Sequence, residues 1–554
     1  MNKSYKTRII IVFLLFFSIY VTIAINLFMI QIMKKDFFEN LGKKQYDVSV
    51  KMQQERAPIA DRTGKSFFAM NKDCFSAFVL PRQLTKDKKA SLIKFLNKNY
   101  PKAITRLEKS KKSHFMFVQR KLSDEQIEFI KNSKIEDIYL LKEQGRFYPI
   151  ESASTTIGLT DIDNFGISGL EMKFNSQLAG EPTTVYLEKD ARSGHFHFKK
   201  ETKIKGKTAI PLILTLSSDL QFLATEELKE IVEKYNAKEA AAIIMDPKNG
   251  DILALINYPY FDPNDTKSIN PDNSKNKIIT ECFELGSVMK IPAALAALEE
   301  YVVTPDELID CKNTKSTYID GRKINTVAPH GIISFSEIVE RSNNIGIAIV
   351  AKRVGEKIYD HYIKMGFGVK TNIEFPGEQS GFVNPPNNWS KQSIISLSYG
   401  YEATETLLQI ANFFCMIAND GIPIKPRLIL PAPTENEENL VKNNKNNRTY
   451  SEKSVKIIKY IMENTTLKGT CKRARIKGYR IMCKTGTANL LKDGKYSQND
   501  NIFTCAGIIE KDLYQRVIVV FVKEIEKKGV HADTVAVPLF EKIAEKTLIH
   551  DKII

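Results

Sequence analysis

The spacing of apolar and polar positions divides the chain before any residue is given a role. After the basic opening with Lys3, Lys6 and Arg8, residues 9–32 are apolar with only scattered uncharged polar positions. A helix of that length spans roughly 36 Å, enough for the hydrocarbon core of a bilayer. The run passes into Gln31-Ile32-Met33-Lys34-Lys35, with no small-residue cleavage site, so it predicts an uncleaved anchor rather than a signal peptide. Cations flank both ends, and the positive-inside rule alone leaves the orientation open. No second run of this length follows, so the rest of the chain is expected on one side of the membrane.

Residues 45–205 mix strand-like and helical pieces and close on the polar stretch 188–207. A new pattern begins near Leu212. Residues 212–216 read as a strand, and Ser217-Ser218-Asp219 as helix caps. Leu220, Ala224, Leu228, Ile231 and Tyr235 then fall on one helical face. Residues 240–245 and 251–256, joined by Pro247-Lys-Asn-Gly250, read as a hairpin. Three late strands are expected at 479–483, 503–509 and 515–522, with a last helix at about 535–548. Helices enclosed between an early hairpin and late strands predict an α+β domain whose antiparallel sheet is built from both ends. The Asn/Lys/Glu-rich stretch 434–448 reads as a solvated loop.

Composition narrows the function classes. With 554 residues, 43% hydrophobic and 26% charged, the chain is globular and long enough for two to four units, which excludes a mainly disordered protein. Seven cysteines without a CxxC pair exclude a disulfide scaffold and give no support to a zinc site or a thioredoxin-like centre. The net charge of +16 is spread as single lysines with no nucleic-acid motif, which weighs against a nucleic-acid partner; the heavy use of Lys, Asn and Ile is equally compatible with an AT-rich genome and with attraction to anionic lipid or a cell-wall polymer.

The candidate chemistry is a set of three short motifs. Ser287-Val-Met-Lys290 opens an apolar helix, with a nucleophile and a base on one face. Burial and neighbouring positive charge can lower a lysine pKa enough for it to serve as the base. The helix start also offers free N–H groups to an oxyanion. Ser91…Lys94 and Ser274…Lys277 share the spacing but sit in polar, lysine-rich contexts. Ser342-Asn343-Asn344 offers a hydroxyl and an amide at a turn; its bland reading is helix capping, and Ser268…Asn270 and Ser497…Asn499 match it equally. Lys484-Thr485-Gly486-Thr487 ends an apolar strand. It presents a cation and hydroxyls suited to a carboxylate, with Gly486 expected to let substrate approach the backbone.

In this order and spacing the set resembles the active-site-serine penicillin-binding proteins and serine β-lactamases. Asp246-Pro-Lys-Asn-Gly250, Pro259-Tyr-Phe-Asp262-Pro263-Asn264, Ser398-Tyr-Gly-Tyr401, Leu408-Gln409-Ile410-Ala411 and Gly478-Tyr-Arg-Ile-Met-Cys-Lys484 are similar to segments of the class B transpeptidase domain. Arg56–Gly64 and Gly166-Ile-Ser-Gly169-Leu-Glu171 resemble the motifs of the class B pedestal domain, in which Arg56 or Arg62 is expected to pair with Glu171. Departures are Leu285 for the usual Pro, Leu407 in the usual Thr-Pro position, Glu402 for Gly, and Thr63 for Asn or Ser. Pro292 is expected to bend the helix carrying Ser287 and Lys290, because the Val288 carbonyl loses its donor.

The resemblance implies a fold of one N-terminal transmembrane helix, a mixed α/β pedestal and a C-terminal transpeptidase domain. The implied division is a cytoplasmic tail at 1–8, the anchor at 9–32, a dimerisation-like pedestal at 45–205 and the transpeptidase at 212–550. It implies acyl transfer at the D-Ala-D-Ala end of peptidoglycan stem peptides, at the septum, and inhibition by β-lactams. Ser287 would form the acyl-enzyme, Lys290 take its proton, Ser342 relay a proton to the leaving amine and Asn344 hold the acyl amide. Lys484 and Thr485 would bind the carboxylate beside Gly486 and Thr487, and the N–H groups of Ser287 and Thr487 would form the oxyanion hole. No metal or cofactor is implied. The implied setting is the inner membrane, catalytic domain outside, with a glycan polymerase of the SEDS type and other division proteins as partners. A sidewall-elongation paralogue is the nearest alternative. A β-lactamase is disfavoured by the lack of a Glu-x-x-Leu-Asn segment, a bifunctional class A enzyme by the lack of glycosyltransferase motifs, and an idle scaffold by the complete motif set.

Overall fold

The computed structural model describes residues 3–52, 54–81, 84, 86–109, 115–133, 135, 137–189, 196–431, 448–492, 495–527 and 529–553, so most of the expected loop at 434–448 lies outside the described residues. The chain forms two compact units, residues 1–55 with 179–210, and residues 56–178 with 211–554.

In the first unit the apolar run is a helix, Lys3–Phe28, continued by one π turn, Met29–Met33. The apolar stretch Lys6–Met33 has 28 residues, or about 42 Å. Its side chains are exposed all round, as suits a helix whose neighbour is lipid. Asp47–Met52, Thr183–Lys189 and Phe196–Ile204 form an antiparallel sheet in that spatial order. Gln54 closes it, donating to the carbonyls of Glu181 (2.7 Å) and Lys207 (2.8 Å) and accepting from Ala209 N–H.

The second unit begins with a sheet in which Phe67–Val79 pairs with Ile59–Ala60, Met116–Leu122 and Tyr139–Phe147. Val79, Leu92, Leu96, Leu107 and Val118 form its apolar core. Glu171, on the short helix Gly169–Lys173, is fully buried. Arg56 Nη2 lies 2.5 Å from Glu171 Oε2, and Arg146 Nε lies 2.7 Å from Oε1. The expected pairing thus falls to Arg56, joined by Arg146, which no motif had singled out. Arg62 instead approaches Asp251, at 3.7 Å.

The rest of the second unit is built on one antiparallel sheet. Its strands are β1 (Glu239–Met245), β2 (Ile252–Tyr258), β3 (Arg480–Lys492), β4 (Lys495–Lys511) and β5 (Tyr514–Lys523), in spatial order β2-β1-β5-β4-β3. β5 lies at the centre, and its residues 517–522 are buried on both faces. One face carries α1 (Ser218–Tyr235), N-capped by Ser217, and the last helix, α6 (Ala532–His550). The helices between the strands include α2 (Lys290–Glu299), α3 (Asn344–Val354), α4 (Leu407–Ala418) and α5 (Glu452–Leu467). α2 is apolar on every side and buried from Lys290 to Leu298, so it runs through the interior.

Two expectations are corrected. The 212–216 strand is short: Leu212–Ile213 pairs parallel to Ile59–Ala60, and beyond it Leu214 makes an isolated antiparallel bridge to Ile429. The strand bearing Lys484 does not end there. β3 continues to Lys492 as a ribbon with β4, whose polar outer half carries no hydrophobic alternation to betray it.

Candidate active site

Ser287 lies not in an α-helix but in a single 3-10 turn, Gly286–Met289, and α2 starts at Lys290. In a 3-10 turn the side chains at i and i+3 eclipse, which sets Lys290 directly over Ser287. Pro292 falls in the first turn of α2, where N–H groups have no intrahelical partner in any case. The expected bend is therefore a helix start. Gly286 has φ +58°, open to glycine at little cost, and a Cβ there would lie 2.6 Å from the Thr487 carbonyl. A Cβ at Gly486 would lie 2.4 Å from the Leu285 carbonyl oxygen and 2.8 Å from Val288 Cγ2. Gly486 thus seats β3 against the serine turn.

Ser342 follows the helix Phe335–Glu340 with φ +56°. A non-glycine residue in this region costs of order 1–3 kcal/mol and persists only where its surroundings fix it. Backbone bonds from Ser342 N to Val339 O (3.1 Å) and Asn343 N to Ile338 O (2.8 Å) do so. The capping role belongs to Asn343, which accepts from Gly346 N–H. Asn344 is left to face the cleft, its Nδ2 donating to Asn325 O at 2.6 Å.

All three motifs converge on two buried lysines. Lys290 Nζ lies 3.1 Å from Ser287 Oγ, 3.0 Å from Ser342 Oγ, 2.7 Å from Ser342 O and 2.5 Å from Asn344 Oδ1. Lys484 Nζ lies 3.0 Å from Ser342 Oγ on its other side and donates to Thr485 O. Both lysines are fully buried. Burial, and then the charge of Lys484, hold Lys290 well below the ordinary lysine range. Burial lowers Lys484 to about 8, partly offset by Cys471, Cys483 and Cys505. Ser287, Ser342, Asn344, Thr485 and Thr487 line an open cleft of about 950 Å³.

The look-alike motifs are spent elsewhere. Lys94 is exposed, Lys277 is paired with Glu239 at 2.8 Å, Ser268 donates to the Asp262 and Asp265 carbonyls, and Ser497 donates to Asp500. Sequence reasoning missed Thr470, whose Oγ1 receives the Thr485 hydroxyl at 2.9 Å, because a lone threonine in a loop carries no signal.

A family model described as the penicillin binding protein transpeptidase domain matches residues 240–545, and one described as the penicillin-binding protein dimerisation domain matches residues 51–209. The chain belongs to the class B penicillin-binding proteins. It is a serine-type peptidoglycan D,D-transpeptidase. Among similar proteins, peptidoglycan D,D-transpeptidase FtsI of Buchnera aphidicola subsp. Baizongia pistaciae is 31% identical over 80% of this chain and 76% of its own. Stage V sporulation protein D of Bacillus subtilis is 29% identical over 99% of this chain and 86% of its own. The solved structure of penicillin binding protein 3 from Mycobacterium tuberculosis, complexed with aztreonam, shares the fold with a TM-score of 0.68, 23% identity and coverage of 91% and 98%.

Three of the transpeptidase's four departures from the common pattern, Glu402, Leu407 and Thr63, have local accounts. Glu402 has φ +60°, the region where glycine is free. It is held there by its N–H donating to Glu284 and by Asn384 donating to its carboxylate. Leu407 is the first residue of α4, the position where proline is favoured but dispensable, and Thr406 with Gln409 supplies a full capping box. Thr63 keeps the hydroxyl that the turn uses, donating to Asp61 at 2.7 Å.

The seating of β3 yields a prediction. Gly486→Ala should displace the serine turn by a fraction of an ångström and slow acylation by a β-lactam about 10²-fold, since misplacements of this order cost that much. Stopped-flow acylation checks this; a rate within threefold of the parent would show that the turn is not positioned by this contact.

Proposed function

We propose that Ser287 is the nucleophile and neutral Lys290 the base that activates it. The observation that carries this is the set of atoms around Lys290 Nζ. Two of its four neighbours, Ser342 O and Asn344 Oδ1, can only accept hydrogen bonds. A neutral amine has two N–H bonds for these two acceptors, and its lone pair remains for a hydroxyl proton from Ser287. Ser342 Oγ, between Lys290 and Lys484, is situated to pass a proton to the leaving D-Ala amine. Lys484 and Thr485 receive the substrate carboxylate beside Gly486 and Thr487, Asn344 holds the acyl amide, and the N–H groups of Ser287 and Thr487 stabilise the oxyanion. An amine of a neighbouring stem peptide then takes the acyl group.

Penicillin should label the purified protein at Ser287 alone, found by peptide mapping, and Ser287→Ala should abolish labelling. A label elsewhere, or one that survives in that variant, overturns the assignment.

The site of action we infer is the division septum, a reading supported by the likeness to FtsI. Depletion should then give undivided filaments, whereas loss of sidewall elongation would give rounded cells. The same reading makes the protein a β-lactam target working with a SEDS-type polymerase and other division proteins. It divides the chain into tail (1–8), anchor (9–32), pedestal (45–205) and transpeptidase (212–550). Its substrate lies outside the cytoplasmic membrane, so the orientation follows the chemistry. A reporter active only outside the cytoplasm, fused after Ile554, should be active; activity of a cytoplasm-only reporter there would reverse the topology.

A further inference from the structure

Three cysteines distant in sequence meet behind the catalytic strand. Cys471 precedes the 3-10 turn Lys472–Ala474, Cys483 lies on β3, and Cys505 lies on β4 opposite Thr485. All three are fully buried, and their Sγ atoms lie within 4.8 Å of one another. The nearby polar atoms are hydroxyls: Thr466 Oγ1 lies 3.4 Å from Cys483 Sγ, and Thr470 Oγ1 lies 4.0 Å from Cys471 Sγ. Among the described residues no imidazole or carboxylate joins the group. Cys311 and Cys415 are also buried but stand outside it, so filling space with a small side chain does not require cysteines to converge.

We propose that Cys471, Cys483 and Cys505 form a binding site for one Cu(I) ion, held by three thiolates. Geometry permits it. An ion about 2.3 Å from each of three sulfurs in a plane holds them about 4 Å apart, so the sulfurs need to close by less than about 1 Å. Ligand type selects the ion. Thiolates favour soft cations over Mg²⁺, Ca²⁺ or Mn²⁺. Zn²⁺ takes four ligands, or three and a water; this site offers three sulfurs in an interior closed to solvent. Binding exchanges three thiol protons for one cation with no change of oxidation state. The spacings of 12 and 22 residues match no metal-binding motif, which is why sequence alone offered no site.

The test uses the full chain in detergent, reduced and without oxygen. It is incubated with Cu(I) supplied as its acetonitrile complex and then challenged with a Cu(I) chelator. One equivalent should be retained, and X-ray absorption at the copper edge should show a first shell of three sulfurs. Cys471→Ser with Cys505→Ser should lose that equivalent, and Cys311→Ser with Cys415→Ser should keep it, with folding followed by thermal melting. If the first pair does not fold, the absorption spectrum of the unaltered protein decides. Failure to retain copper, nitrogen or oxygen in the first shell, or full retention by the folded first pair overturns the proposal.

Discussion

Lys290→Arg is expected to acylate with a β-lactam about 10²–10⁴-fold more slowly than the parent while remaining folded, the usual cost of losing a general base. Arginine keeps the positive charge and the donors but cannot give up its proton at any working pH. The parent differs because burial, reinforced by the Lys484 charge, holds the Lys290 ammonium well below its ordinary value. On the proposed assignment its neutral form is the reactive one above that lowered pKa, and it is lost as pH falls through it. The acylation rate of the parent should drop with a single protonation on the acid side. Lys290→Arg should lose that limb, because arginine at this position does not give up its proton. A near-parental rate in the variant, or an unchanged acid limb, would make Lys290 an orienting cation instead of the base.

Glu171→Ala is expected to be the most destabilising single change in the pedestal, by roughly 3–5 kcal/mol, because removing one member of a buried ion pair strands the other. Here two guanidinium groups would be stranded. Arg56 and Arg146 each bond a different oxygen of Glu171, and the side chains of both are almost fully buried. Arg56 also donates to Asn175 Oδ1 at 2.8 Å and to the Asn164 carbonyl, so the loops around it would loosen together. Arg62→Ala is the control: its side chain is one-third exposed and 3.7 Å from Asp251, and its loss should cost at most about 1 kcal/mol. Urea unfolding of the two variants checks the contrast, which fails if they unfold at similar midpoints.

The parts of this protein legible in its sequence are those where burial imposes a period or chemistry imposes a set. The face of Leu220, Ala224, Leu228 and Ile231, the early hairpin and the three late strands were all readable, since each packs one patterned surface on a shared core. The order of Ser287, Lys290, Ser342, Asn344 and Lys484 was readable as a set, and the structure gathers all five. What escaped was set by shape and by non-local pairing. The 3-10 turn under Ser287 has the same apolar composition as the helix it precedes. Gly486 owes its place to a carbonyl two hundred residues earlier in the chain, at Leu285. Arg146 reaches Glu171 only because its strand pairs with Phe67–Val79, a register no local pattern encodes.

The position of β5 bears on when this enzyme can first exist during its own synthesis. β5 joins β1 to β4, with Met245 facing Val517 at one end and Glu239 facing Lys523 at the other. Until those late residues emerge from the ribosome, the early hairpin has only an open edge, and the strand bearing Lys484 has only β4 to pair with. Contacts of such long sequence separation form late and slowly. A nascent chain can carry Ser287 and Lys290 through about 230 further residues of elongation without a working cleft around them. Truncation after Thr487 but before β5 removes the middle of the sheet, not its rim, and leaves Ser287, Lys290, Ser342, Asn344 and Lys484 present with nothing to hold them together.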